Sequence, residues 1–190
     1  MPSSSTAIAD TRRWVERAVI GLNLCPFAKA VQVRGQVHYA ECASDDPAQL
    51  LEALLIEARA LAELDSAERD TTLLVATGCL ADFLDFNDFT GEAEDRLAEE
   101  GFEGELQLAS FHPDFQFGGT EPDDIGNATN RSPWPTLHLL REASIDRAVE
   151  AFPDAEAIFG RNIEVLEQLG AEGWAALDVG RGSAPDPESA

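Results

Sequence analysis

Seven consecutive residues, Thr71 to Thr77 (Thr-Thr-Leu-Leu-Val-Ala-Thr), constrain what this chain can fold into more than any other feature. The run is apolar throughout and bounded by charge on one side and Gly78 on the other, as expected of a central strand covered on both faces. Covering it requires helices, and the flanking sequence supplies their signals. On the amino side, Asp46 stands at an N-cap, Pro47 at the first helical position and Gln49 in the capping-box place. Leu50, Leu51, Leu54, Leu55, Ala58 and Leu61 follow at helical spacing. On the carboxyl side, Phe83, Phe86, Ala93 and Leu97 describe a helix that stops at Gly101, with Gly91 as a point of interruption. A strand over about Gln36 to Glu41, or a hairpin about Gly35, precedes this unit. A strand from Glu105 to Phe111 closes it, with Leu106 and Leu108 on one face. Strand, helix, strand, helix, strand with simple connections predicts an α/β fold: a small, largely parallel sheet of three or four strands with covering helices.

The remainder reads as helical. Ile8, Val15, Ala18, Val19 and Leu22 place an amphipathic helix over about Ala7 to Leu22, with Arg12, Arg13, Glu16 and Arg17 on its solvated side. Pro135 opens a helix burying Leu137 and Leu140, and Ser144 with Asp146 caps another through Val149 and Phe152. Asp154 caps a last helix carrying Ile158, Ile163, Leu166 and Leu169, stopped by Gly170. Residues 1–180 form one domain with a helical C-terminal part, and 181–190, rich in Gly, Pro, Ser and Asp, form a disordered tail.

Ligands of parallel sheets bind beyond the carboxyl ends of the strands, here Glu41-Cys42, Thr77-Gly78-Cys79 and Phe111-His112-Pro113-Asp114. The last of these opens a long stretch, Phe111 to Arg141, dense in groups that bind or transfer protons. Long loops inside compact domains are uncommon and usually functional. His112 is the candidate general acid or base with Asp114 orienting it, and His138 follows as a candidate contact at the start of a helix. Asn127, Asn130, Arg131 and Ser132 form a polar run in which Arg131 matches a carboxylate or phosphate fork; capping and turn chemistry is the equal alternative. Arg141, Arg161 and the single lysine, Lys29, are further candidate anion contacts.

Cys25 is a candidate nucleophile, although burial as an inert thiol is the commoner fate. Cys25, Cys42 and Cys79 are odd in number and widely spaced, and no histidine spacing matches a metal motif, so reduced thiols and no metal are expected. Nothing in the pattern names a cofactor. The balance of 13 basic against 36 acidic residues, a formal charge of −23, repels phosphate backbones and anionic lipid, which argues against nucleic acid and membrane partners. With no apolar run of about 18 residues and no signal-peptide pattern at the start, the expected compartment is the cytoplasm.

At Leu24-Cys25-Pro26-Phe27-Ala28, Ser110 to Phe117, Thr129-Asn130-Arg131-Ser132-Pro133, Leu137 to Glu142 and Arg161-Asn162-Ile163, the chain resembles a bacterial family catalogued only as domain of unknown function 1415. The likeness runs from the first helix to about Leu177. It implies no activity; it marks the same segments that polarity and position single out. The expectation is therefore a small enzyme acting on a small anionic metabolite by acid-base, optionally thiol-assisted, chemistry. The alternative is a non-catalytic protein that binds a small molecule or a protein partner. Clustering of His112, Asp114, Arg131 and His138 about one cleft favours the first; pairing of those side chains within the fold favours the second.

Overall fold

The computed structural model describes residues 5–151 and 157–182. Residues 1–4, Phe152, Asp154 and residues 183–190 of the expected tail lie outside them. In chain order the elements are α1 (Thr6–Trp14), a π-helical segment (Val15–Ile20), α2 (Ala28–Val33), β1 (Val37–Cys42), α3 (Pro47–Glu63), β2 (Thr71–Ala76), α4 (Phe83–Glu99) and β3 (Leu106–Phe111). A 3-10 helix (Ile125–Asn130), β4 (Thr136–Arg141), α5 (Glu142–Ala151) and α6 (Ala157–Ala176) complete the chain.

The four strands form one sheet in the order β1-β2-β4-β3. β1 and β2 pair in parallel, whereas β4 is antiparallel to both β2 and β3. The α/β class, the covering helices and the helical C-terminal part hold. The parallel character survives as a shared direction: two antiparallel pairings in succession leave β3 pointing the same way as β1 and β2, but only β1 and β2 touch as parallel neighbours.

β4 is the strand that sequence reasoning assigns to a helix. In the fold, Leu137 and Leu139 are fully buried on one face, and His138 lies on the other. This is a period of two, and Leu-His-Leu-Leu also fits helical spacing; the extended Pro133-Trp134-Pro135 approach and insertion between two strands decide it. Of the two readings about Gly35, the single strand holds as β1; α2 stands where the first arm of a hairpin would have been. α4 runs through Gly91 without a break, and α5 begins at Glu142, ahead of the Ser144 and Asp146 cap. At Gly170 the backbone of α6 leaves helical geometry (φ 67°, ψ 174°), as its stop signal implies.

β2 is buried at every position, as its unbroken apolar run requires. One face of the sheet packs Leu74, Ala76, Leu106, Leu137 and Leu139 against Leu50, Leu54, Leu61, Phe86 and Leu97 of α3 and α4. Each fully buried leucine contributes roughly 1.5–3 kcal/mol. The other face packs Tyr39 and Leu73 against Trp14, Val15 and Ala18, with Trp174, Leu177 and Val179 alongside. Asp46 caps α3 through a 2.9 Å bond from the Ala48 N–H; Ser44 rather than Gln49 accepts the Asp46 N–H (3.0 Å). No helix of the described residues is long and apolar enough to cross a membrane.

Candidate functional site

Because β1, β2 and β3 share a direction, their carboxyl ends meet at one edge of the sheet, where the N-termini of α3 and α4 also lie. The turns there are tight. A Cβ on Gly78 would stand 2.4 Å from the carbonyl oxygens of Ala43 and Ser44, so only glycine lets the loops after β1 and β2 touch. The turn after β2 also reaches His112, since the His112 ring bonds to Leu80, as a common carboxyl edge predicts.

His112 sits at that edge with no exposed surface. Its ring lies 5.5 Å from Phe83 and 5.1 Å from Phe86, centroid to centroid, both rings contributed by α4. Nδ1 accepts the backbone N–H of Asp114 (3.0 Å), so the proton of the neutral ring is on Nε2, which donates to the Leu80 carbonyl (3.2 Å). Leu80 has a positive φ of 57°, a conformation that costs a leucine about 1–2 kcal/mol, and the imidazole holds its carbonyl in place. Burial pushes the His112 pKa down, opposed by the Leu80 bond and by Asp114. Asp114 therefore orients the ring, but through its backbone N–H; the residue itself is exposed.

The polar run is folded inward as well. Asn127 is fully buried: its Oδ1 accepts from the Phe117 N–H (3.0 Å) and the Thr120 hydroxyl (2.9 Å), and its Nδ2 donates to the Glu121 carbonyl (2.9 Å). Arg131 donates from Nε to the Phe115 carbonyl (3.0 Å) and from Nη2 to the Pro122 carbonyl (2.7 Å), stapling the two limbs of the loop. Asn130 Nδ2 donates to the Ser110 carbonyl (3.4 Å), and its own carbonyl accepts the His112 N–H (3.2 Å). Ser132 donates to the Trp134 carbonyl (2.6 Å). The Ser132 bond is local turn chemistry, whereas those of Asn127, Asn130 and Arg131 reach backbone groups 6 to 20 residues away in the chain.

His112, Asp114, Asn127, Asn130, Arg131 and Ser132 thus belong to one loop. The remaining candidates do not join them. His138, expected at a helix start, is mid-strand on β4 beside Leu73 and Ala109. Thr71 Oγ1 gives its proton to the Leu139 carbonyl (2.6 Å) and meets His138 Nε2 at 2.6 Å, so Nε2–H is the donor there. Burial drives the His138 pKa down to about 4. Arg141 ends β4 at the opposite edge of the sheet, donating to the carbonyls of Leu61 in the last turn of α3, of Leu64 that caps it and of Arg69 beyond. Lys29 is exposed on α2. Cys25 is a partly buried free thiol in the turn before α2. That turn is fastened to α6, Asn162 donating to the Leu24 carbonyl (2.9 Å) and Arg161 to the Asn23 carbonyl (3.4 Å). Cys42 and Cys79 pack against the α3/α4 core, and burial raises the Cys79 pKa, with Cys42 and Asp45 adding to it.

A buried polar network lies outside the sequence expectations. Asp10, 1% exposed on α1, pairs with Arg13 (2.6 Å), and its second oxygen accepts the Trp134 indole N–H (3.2 Å) and the Gly182 N–H (3.0 Å). Arg13 donates on to the carbonyls of Asp178 and Gly180. Arg181 lies 4.0 Å over the Trp134 ring and donates to the Pro133 carbonyl (2.7 Å), so residues 181 and 182, assigned by composition to the tail, are held against the loop. Arg13 reads as solvated from helical periodicity; the sequence signal for its burial is an acid and a base three residues apart on α1, Asp10 and Arg13.

Among the described residues, no group of three or more His, Cys, Asp or Glu is arranged to hold a metal ion. A family model described as protein of unknown function (DUF1415) matches residues 6–176. No curated protein and no solved structure matches the chain.

Proposed function

Since the chain belongs to the family of unknown function DUF1415, its function has to be read from its own side chains, and from them we propose a non-catalytic binding protein. The observation that carries this reading is His112. A general acid or base must present a nitrogen to the reacting group; both His112 nitrogens face backbone groups inside an aromatic enclosure. His138 lies mid-strand on β4 with Nε2 taken up by Thr71, away from the loop. The loop that follows β3 is then a rigid platform. Its polar side chains build the shape, and recognition belongs to the surfaces it braces.

The test is a metabolite and peptide library scored twice, by thermal shift and by mass spectrometry of the recovered compounds. Ligands that bind the folded state raise the melting temperature, and the reading expects them back unchanged. Conversion of a compound at a rate reduced about 100-fold or more in a folded His112→Gln or Cys25→Ser variant would overturn it.

A second reading, a small-anion seat at Arg131, has one observation in its favour. The Arg131 bonds run to neutral carbonyls, so no carboxylate among them cancels its charge. Inorganic phosphate that stabilises the wild type and leaves a folded Arg131→Lys variant unaffected is the result this second reading expects.

A further inference from the structure

We propose that the outer edge of β3 captures an extended, basic peptide segment of a partner protein by adding it to the sheet as a fifth strand. The inference deepens the binding-protein reading and rests on it. The Glu142 N–H donates to the Glu105 carbonyl (3.0 Å), which sets the phase of the β3–β4 ladder. Gln107, Ala109 and Phe111 therefore exchange bonds with Leu140, His138 and Thr136, while Leu106, Leu108 and Ser110 turn their backbone groups outward. The Leu106 N–H is taken by the Phe102 carbonyl and the Ser110 carbonyl by Asn130. Between them, the Leu106 carbonyl, both backbone groups of Leu108 and the Ser110 N–H have no partner among the described residues. Open edges of this kind are normally blunted by lysine, proline or a bulge, and Leu-Gln-Leu-Ala-Ser-Phe carries none of these. The other edge strand, β1, carries Glu41, and Tyr39 ties it to α2 through a 2.9 Å bond to Gln32.

The β3 edge opens onto a cavity of about 320 Å³ between the strand and α4. Leu97, Phe102, Leu106 and Leu108 supply its apolar lining, on the side where an added strand would set its alternate side chains. Its charged lining is Glu94, Glu103 and Glu142, with no lysine or arginine. A second copy of this chain, also at −23, would bring like charges together. The complementary occupant is a strand with apolar residues on one face and lysine or arginine on the other.

A fluorescein-labelled peptide, Lys-Val-Lys-Val-Lys-Val-Lys, serves as probe on the full chain. Because any polycation is drawn to so acidic a protein, the control is the same peptide N-methylated at alternate residues, which keeps its charge and loses the backbone donors of one edge. We expect binding by anisotropy that is at least tenfold weaker for the N-methylated peptide. Amide exchange at Leu108 and Ser110 slows at least tenfold with the first peptide only, and the Glu103→Lys, Glu142→Lys double variant loses binding while melting normally. Equal affinity for both peptides, or unchanged exchange at Leu108 and Ser110, would overturn the proposal. The library test stands apart from it: compound turnover would remove the non-catalytic reading whatever the peptides do, and absent peptide binding would leave that reading in place.

Discussion

The loop from 112 to 135 and the outer edge of β3 are continuous in the chain, yet they treat their hydrogen-bonding groups in opposite ways. In the loop, His112, Asn127, Asn130, Arg131 and Ser132 direct their side chains to backbone groups of neighbouring segments. Along the edge the side chains are bland, and it is main-chain groups, the Leu106 carbonyl, both groups of Leu108 and the Ser110 N–H, that stay open near carboxylates. The difference teaches that a run of polar residues marks a need for hydrogen bonds, not where they are offered. A long loop has few ladder partners for its own N–H and C=O groups, and polar side chains replace them.

The largest effect that sharpens this contrast is expected from Asp10→Ala. It leaves the Arg13 guanidinium buried without its carboxylate and releases Trp134 at the end of the loop. A loss of about 3–5 kcal/mol in urea unfolding is expected, with a loss under about 1 kcal/mol meaning that the network is not a brace.

Acid should act next. His38, His112 and His138 all have pKa values held below 6.5, in each case first by burial. The unfolded chain binds these protons more readily, so their contribution is fully present above 6.5 and is lost as pH falls toward the folded values. For His138 that window runs from 6.5 to about 4, a span worth roughly 3 kcal/mol at about 1.4 kcal/mol per unit. Urea unfolding at pH 7 and pH 5 checks the slope, which His138→Gln should flatten; a pH-independent midpoint in the wild type would contradict it.

Arg131→Lys keeps the charge and loses the fork between Phe115 and Pro122. A drop of about 1–2 kcal/mol is expected; full stability with weakened phosphate binding would move Arg131 from brace to anion seat. The smallest effect belongs to the edge, where Glu103→Gln and Glu142→Gln should change stability by less than about 0.5 kcal/mol. A large loss there would mean that the rim is structural, and the contrast between the two regions would narrow.

Legibility in the sequence follows the same division. β2, α3, α4 and β3 carry a period, a cap or a stop within their own residues, and they stand close to where those signals put them. β4 reads wrongly as a helix because Leu137-His138-Leu139-Leu140 satisfies two periods, and its choice depends on a slot between β2 and β3 that no local pattern reveals. Within the site, the convergence of His112 with the turn after β2 is legible from topology. Its enclosure by Phe83 and Phe86 is not, since those rings come from a helix elsewhere in the chain. Nor is the role of Arg131, Arg141 and Arg161: a sequence displays the cation, but their partners are main-chain carbonyls of distant segments.

The most direct test of the claim that the loop is built inward is side-chain nitrogen NMR of His112 across pH 8 to 5. The bonds to Asp114 and Leu80 predict one neutral tautomer, protonated at Nε2, with a pKa below 6.5. A ring that exchanges tautomers and titrates at or above 6.5 would mean an imidazole open to solvent and substrate, and acid-base catalysis would then replace binding as the function of this loop.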